Sequence, residues 1–184
     1  MTYVIIILTV LAVAGLVVVL YDCKKSIEQR VLNVEACTLN DKEYMIQNYG
    51  KDFKWFETNI DLKDYLDEDG GEVESITNIF QTLIDGDPLV VIFTHTEAED
   101  KVEKIHSFWV EDFQMEGVDV TYQQALEAVN RVNLPKPHSK HCVLRKQVGP
   151  KVCNPQYIFG NQTAQLYVDA ITGKVTDKNP AFNE

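Results

Sequence analysis

The hydrophobic pattern changes character along the chain. Tyr3 to Leu20 is an unbroken apolar run with no charged side chain. Its length, about eighteen residues, is near the lower limit for a helix crossing a hydrocarbon core of roughly 30 Å. The expectation is an uncleaved single-pass transmembrane helix within residues 1–22. A cleaved secretory signal fits less well. Met1, Thr2 and Tyr3 supply no basic side chain, and Leu20-Tyr21-Asp22 offers no small-residue cut. A lipoprotein signal on Cys23 would follow Tyr21 and Asp22, where small residues are needed. Lys24–Ala36 then reads as a helix with a narrow stripe of Ile27, Val31 and Val34. Residues 23–50 form a juxtamembrane helix and linker on this reading, with the polar stretch 40–50 undecided.

Beyond Phe53 the pattern turns to alternation. Phe53–Leu66 reads as a strand ending in the acidic turn 67–71. Val73–Ile84 admits two readings. Val73, Ile76, Phe80 and Leu83 have helical spacing, while Ile76, Phe80 and Ile84 also fit one face of a strand. The turn Asp85-Gly86-Asp87-Pro88, followed by apolar Leu89–Thr96, favours a hairpin. Lys104–Phe113 alternates as another strand. Thr121–Asn133 is an amphipathic helix. Thr121 and Gln124 make a capping box. Tyr122, Ala125, Leu126, Val129 and Val132 share one stripe, and Leu134-Pro135-Lys136-Pro137 ends the helix. Strands follow at His141–Val148, Gln156–Phe159, Gln165–Ala170 and Lys174–Thr176. The expected fold class is α+β, an N-terminal transmembrane helix followed by antiparallel sheet or sheets with one packed helix. Residues 51–116 form a β-rich lobe and 117–184 an α+β lobe.

Charge narrows the partners. A formal net charge of −11 argues against non-specific nucleic-acid binding, which needs a cationic surface. Lys24, Lys25 and Arg30 directly follow the apolar run, so the positive-inside rule puts the domain on the cytoplasmic side. Between Glu127 and Asp169 the chain has basic residues and no acidic one. Lys136, Lys140, Arg145, Lys146 and Lys151 either meet the acidic segment 41–100 within the fold or form a contact surface for an acidic partner. The cysteines are Cys23, Cys37, Cys142 and Cys153, without a Cys-x-x-Cys pair. Cys142 and Cys153 flank Gly149-Pro150 and are disulfide candidates in an oxidising compartment, thiols otherwise.

Thr121-Tyr-Gln-Gln-Ala-Leu-Glu-Ala-Val129, followed by strands and closed by Leu166-Tyr-Val-Asp-Ala-Ile-Thr-Gly-Lys-Val175, resembles a PepSY-type domain. The resemblance covers roughly the last third of the chain. It implies a non-catalytic binding module on the extracytoplasmic side, and a chain with two cystatin-like lobes.

Candidate chemistry is sparse. His138, His141 and Cys142 cluster in sequence, but a structural metal site wants four placed ligands. Asp67, Glu68, Asp69, Glu72 and Glu74 miss the calcium-loop spacing. His95 and His106 fall on neighbouring strands and are read as cross-strand packing. No nucleophile elbow, phosphate loop or zincin motif is present. Neither a catalytic residue nor a cofactor or metal is assigned. The expected function is a membrane-tethered, non-catalytic binding or regulatory domain for a protein or peptide. The contact would lie on the basic segment, or on a sheet edge at Leu166–Ala170 that includes Tyr167 and Asp169. The alternative is an envelope hydrolase or metal-dependent enzyme with an unrecognised site.

Overall fold

A computed structural model describes residues 30–68, 70–107, 114–115 and 117–182. The elements run α1 (Val34–Tyr49), β1 (Phe53–Leu62), a single 3₁₀ turn (Leu66–Glu68), β2 (Val73–Ile84), β3 (Asp87–Thr96), β4 (Asp100–His106), α2 (Tyr122–Arg131), β5 (His141–Lys146), β6 (Pro155–Gly160), β7 (Gln165–Asp169) and β8 (Val175–Thr176). The eight strands form one sheet in the order β4-β3-β2-β1-β5-β6-β7-β8, antiparallel at every step. The chain therefore makes a helix followed by a four-strand meander, twice over. The two meanders join where β1 pairs with β5, Glu57 opposite Arg145 through Asp61 opposite His141.

Cross-strand partners lie on the same face of a sheet, so the register sorts the side chains. Asn78, Thr58, Leu144 and Tyr157 are successive partners on one face. Ile76, Ile60, Cys142 and Phe159 follow on that face, and Tyr122 of α2 stacks on Phe159 with ring centroids 6.2 Å apart. Thr38 of α1 reaches Asn78 on the same face. Both helices thus cover one side of the sheet. The core lies between, with Ile60, Ile76, Phe80, Leu144, Tyr157 and Phe159 almost fully buried. Complete burial of such side chains contributes about 1.5–3 kcal/mol each.

The expected fold class is corrected on two counts. Among the described residues no helix is long and apolar enough to cross a membrane. Helix α2, ten residues long, spans only about 15 Å. Helix α1 carries Glu35, Asp41, Lys42 and Glu43 and turns its inner face to the sheet. The single-pass anchor and the membrane localisation are thus no part of the observed fold, and Tyr3–Leu20 lies outside the described residues. Nor do residues 51–116 and 117–184 form separate lobes or sheets. The β1–β5 pairing makes them a single sheet, and two helices cover it instead of one.

Helix α1 also moves the expected N-terminal helix. Lys24–Gln29 lies outside the described residues, and Arg30 to Asn33 is not helical. Asn33 caps α1, its side chain accepting from the Ala36 N–H at 2.7 Å, and the helix runs on through the polar stretch that was undecided. Its buried positions are Val34, Cys37, Thr38, Asp41 and Met45. They keep helical spacing, but Thr38 and Asp41 interrupt the apolar stripe that spacing normally reveals.

Val73–Ile84 is a strand. Asp85 and Gly86 both have positive φ, 53° and 91°, the backbone of a two-residue hairpin turn whose twist suits antiparallel strands. Helix α2 carries both halves of its capping box. Strand β4 stops at His106 and Ser107 is not in a strand; residues 108–113 of the strand expected to Phe113, including Trp109, lie outside the described residues.

Candidate functional site

The feature most suited to a ligand is a cleft of about 310 Å³ on the helix side of the sheet. Val34, Glu35, Thr38, Leu39 and Lys42 of α1 form its wall. Its floor is Trp55 from β1, Leu144 from β5 and Tyr157 from β6, and Val118 closes one end. The floor strands are the central pair β1 and β5 and their neighbour β6. They are placed there by the β1–β5 and β5–β6 pairings.

Each polar group around the cleft can be followed to its partner. Glu35 Oε1 accepts the Tyr122 N–H at 2.6 Å, tying α1 to the first turn of α2. A carboxylate at a helix N-terminus is favourably placed against the helix dipole. Tyr157 donates its hydroxyl to the Val120 carbonyl at 2.9 Å, and burial pushes its pKa well up. Thr38 donates to Asn78 Oδ1 at 3.2 Å. Trp55 Nε1 donates to Thr58 Oγ1 at 3.0 Å. Lys42 is different. Its ammonium lies 3.9 Å from the centroid of the Trp55 ring and makes no ion pair with any described residue. Partial burial lowers its pKa.

Beside the floor, on the same face of the sheet, runs a buried polar chain. Thr58 donates to Asn78 Oδ1 at 2.5 Å, and Asn78 Nδ2 donates to Asp41 Oδ2 at 2.7 Å. His95 Nε2 lies 2.9 Å from the same carboxylate oxygen, and its Nδ1 lies 2.7 Å from Asp100 Oδ1. Asp41 and His95 are both buried. Hydrogen bonding to Asp41, aided by Asp100 and opposed by burial, raises the His95 pKa. The buried Asp41 of α1 is thus held against His95 of β3, which fixes the helix on the sheet and with it the wall of the cleft.

The sequence-derived candidates are scattered by comparison. His138 Nδ1 lies 3.0 Å from Asp67 Oδ1, with its ring stacked on Tyr65. His141 Nδ1 lies 2.9 Å from Asp61 Oδ1, whereas Cys142 next to it is buried in the core. Among the described residues no group of three His, Cys, Asp or Glu could hold a metal ion. His95 and His106 do not face each other, since their partners in the ladder are Asp100 and Leu89.

The basic segment does not make one basic face. Arg145 pairs with Glu57 at 3.5 Å, on the side of the sheet away from the helices. Lys140 lies over Tyr65 and donates to the Lys63 carbonyl. Lys146 ends β5 opposite Pro155, Lys136 lies in the connection between α2 and β5, and the Lys151 N–H donates to the Ala181 carbonyl.

The expected edge at Leu166–Ala170 is not an edge, because β7 lies between β6 and β8. Tyr167 is buried there. Asp169 Oδ1 accepts the Ile171 and Thr172 N–H groups of the following turn. The long free edge is β4 instead, exposed along its whole length. Cys142 and Cys153 are thiols. Cys142 is opposite Phe159, six positions beyond Cys153, which is about 20 Å along a strand.

Sequence reasoning passed over Lys42, Trp55 and Tyr157 as one site. Lys42 falls in the undecided polar stretch, and no spacing in the sequence brings it together with Trp55 and Tyr157. The available signal was an unusual one, an Asp at a helical core position, which demands a buried partner. Comparison of the chain with protein-family models, curated proteins and solved structures finds no match in any of the three.

Proposed function

We propose that this chain is a non-catalytic binding module that recognises a protein or peptide, and that the cleft beneath α1 receives part of that partner. The observation that carries the reading is how the cleft's polar groups are spent. Glu35, Thr38 and Tyr157 all hold the fold together. What is left to a ligand is an apolar floor, the Lys42 ammonium and the rest of the Glu35 carboxylate, a combination suited to holding a group. Leu39 on the rim is 59% exposed, adding apolar surface where a partner would meet the helix. The resemblance of the C-terminal third to PepSY-type domains implies the same kind of role.

The test is selection of a random peptide library, displayed with free C-termini, against the full chain. Enriched peptides are then titrated calorimetrically. Binding should be lost in Val118→Trp, which fills the cleft from its end. A library that yields no binder, or binders indifferent to Val118→Trp, would refute the reading.

A further inference from the structure

We infer that the group recognised in the cleft is the free C-terminal carboxylate of a peptide whose last side chain is apolar, with Lys42 as its counter-ion. This rests on the peptide-binding reading above and specifies its chemistry.

The argument begins with the lysine. An ammonium drawn partly out of water carries a desolvation cost that only a good partner offsets. Its partner here is the face of Trp55, at 3.9 Å. A cation–π contact stabilises a cation less than a charge-assisted hydrogen bond to a carboxylate does. Glu35, the carboxylate nearest in sequence that also lines the cleft, already accepts the Tyr122 N–H. The cleft therefore presents apolar walls and a lysine that is not ion-paired to any described residue, while its one carboxylate, Glu35, is turned to the Tyr122 N–H.

The ligand must complement both. Trp55, Leu144, Val34 and Val118 call for an apolar side chain. Lys42, on the same wall as Val34, calls for an anion beside it. A chain end supplies the two together, because its carboxylate sits on the carbon that bears the last side chain. Size points the same way. The sheet closes the cleft below, and about 310 Å³ is at the small end of ligand sites. It suits one terminal residue better than a segment passing through. The net charge of −11 repels anions at a distance, so recognition depends on Lys42 at close range.

The experiment uses the full chain carrying Trp109→Phe, which leaves Trp55 as the only tryptophan of the two in the sequence. Its fluorescence is titrated with N-acetyl-leucyl-phenylalanine and with the same dipeptide as its C-terminal amide. The acid should bind about ten- to hundred-fold more tightly, the effect of one hydrogen bond to a charged group. Lys42→Met should erase that preference, and Lys42→Arg should keep most of it. Equal binding of acid and amide, both lost in Val118→Trp when binding is followed by calorimetry, would overturn the carboxylate assignment and leave the peptide-binding reading standing. Binding of neither, or binding indifferent to Val118→Trp, would overturn both.

Discussion

Replacing His95 with leucine should cost about 3–5 kcal/mol near neutral pH, the range for removing one partner of a buried ion pair. The figure follows from what is left behind. Asp41 is 3% exposed, and its Oδ2 has two partners, His95 Nε2 at 2.9 Å and Asn78 Nδ2 at 2.7 Å. Leucine leaves the carboxylate with Asn78 alone, in surroundings that stabilise charge poorly. Asp41→Leu combined with His95→Leu removes the stranded charge as well, and should lose much less than the sum of the two single changes. Urea unfolding of the full chain measures all three.

Proton linkage supplies an independent check on the same pair. Asp41 from α1 and Asp100 from β4 are the charged groups facing His95, and the hydrogen bond to Asp41 is the larger cause of its raised pKa. The folded protein therefore keeps this proton to higher pH than the unfolded chain does. The stabilisation is complete below about pH 6.5, the ordinary histidine value, and is lost as pH rises through the folded-state value. The gap in stability between wild type and His95→Leu should accordingly narrow as pH is raised above about 6.5. A gap that stays constant over that range would show that His95 holds no extra proton in the fold. A loss under about 0.5 kcal/mol at every pH, typical of a surface site, would refute the buried pair itself.

Leu126→Ala should cost about 2–5 kcal/mol in urea unfolding, because Leu126 is 7% exposed on the inner face of α2. A loss below about 0.5 kcal/mol would mean that this face of α2 is not the packed one. Gly160→Ala should lower thermal stability through strain of about 1–3 kcal/mol or more. Gly160 has φ 129°, and an added Cβ would sit 2.1 Å from the Ala164 carbonyl oxygen; an unchanged melting temperature would contradict that close approach.

What could be read from the chain was local. Helix α2 announces itself because its cap and its whole inner stripe fit within a dozen residues, and the β2–β3 hairpin because Asp85 and Gly86 mark the turn. Helix α1 escaped because its inner face includes Thr38 and Asp41. Their presence makes sense only once Asn78 and His95 are brought opposite. Asp41 and His95 are 54 positions apart, and Asp61 and His141 are 80 apart. No periodicity reaches that far. The one-sheet architecture was hidden for the same reason. The pairing that joins β1 to β5 skips three strands and a helix. Its outward-facing partners, Glu57 with Arg145 and Asp61 with His141, are polar residues that read singly as surface. The contrast between an acidic and a basic half of the sequence was legible, but its resolution by pairing across the β1–β5 junction was not.

That junction also decides where the proposed binding would occur. Each meander alone is a helix and four strands, and neither contains the cleft. Trp55 and the α1 wall come from the first, Leu144, Tyr157 and Val118 from the second half of the chain. The floor exists only when β1 and β5 are side by side. Its cation is held in place by α1, and α1 is fixed on the sheet by the Asp41–His95 pair. A ligand seated on Lys42 and Trp55 would touch both halves at once. It would then favour the joined sheet over any state in which the halves separate, and so stabilise the fold in proportion to its occupancy. On the proposed reading, recognition and the integrity of the central β1–β5 ladder would thus be coupled. Changes such as His95→Leu, far from the cleft in sequence, should weaken binding by loosening the helix that carries Lys42.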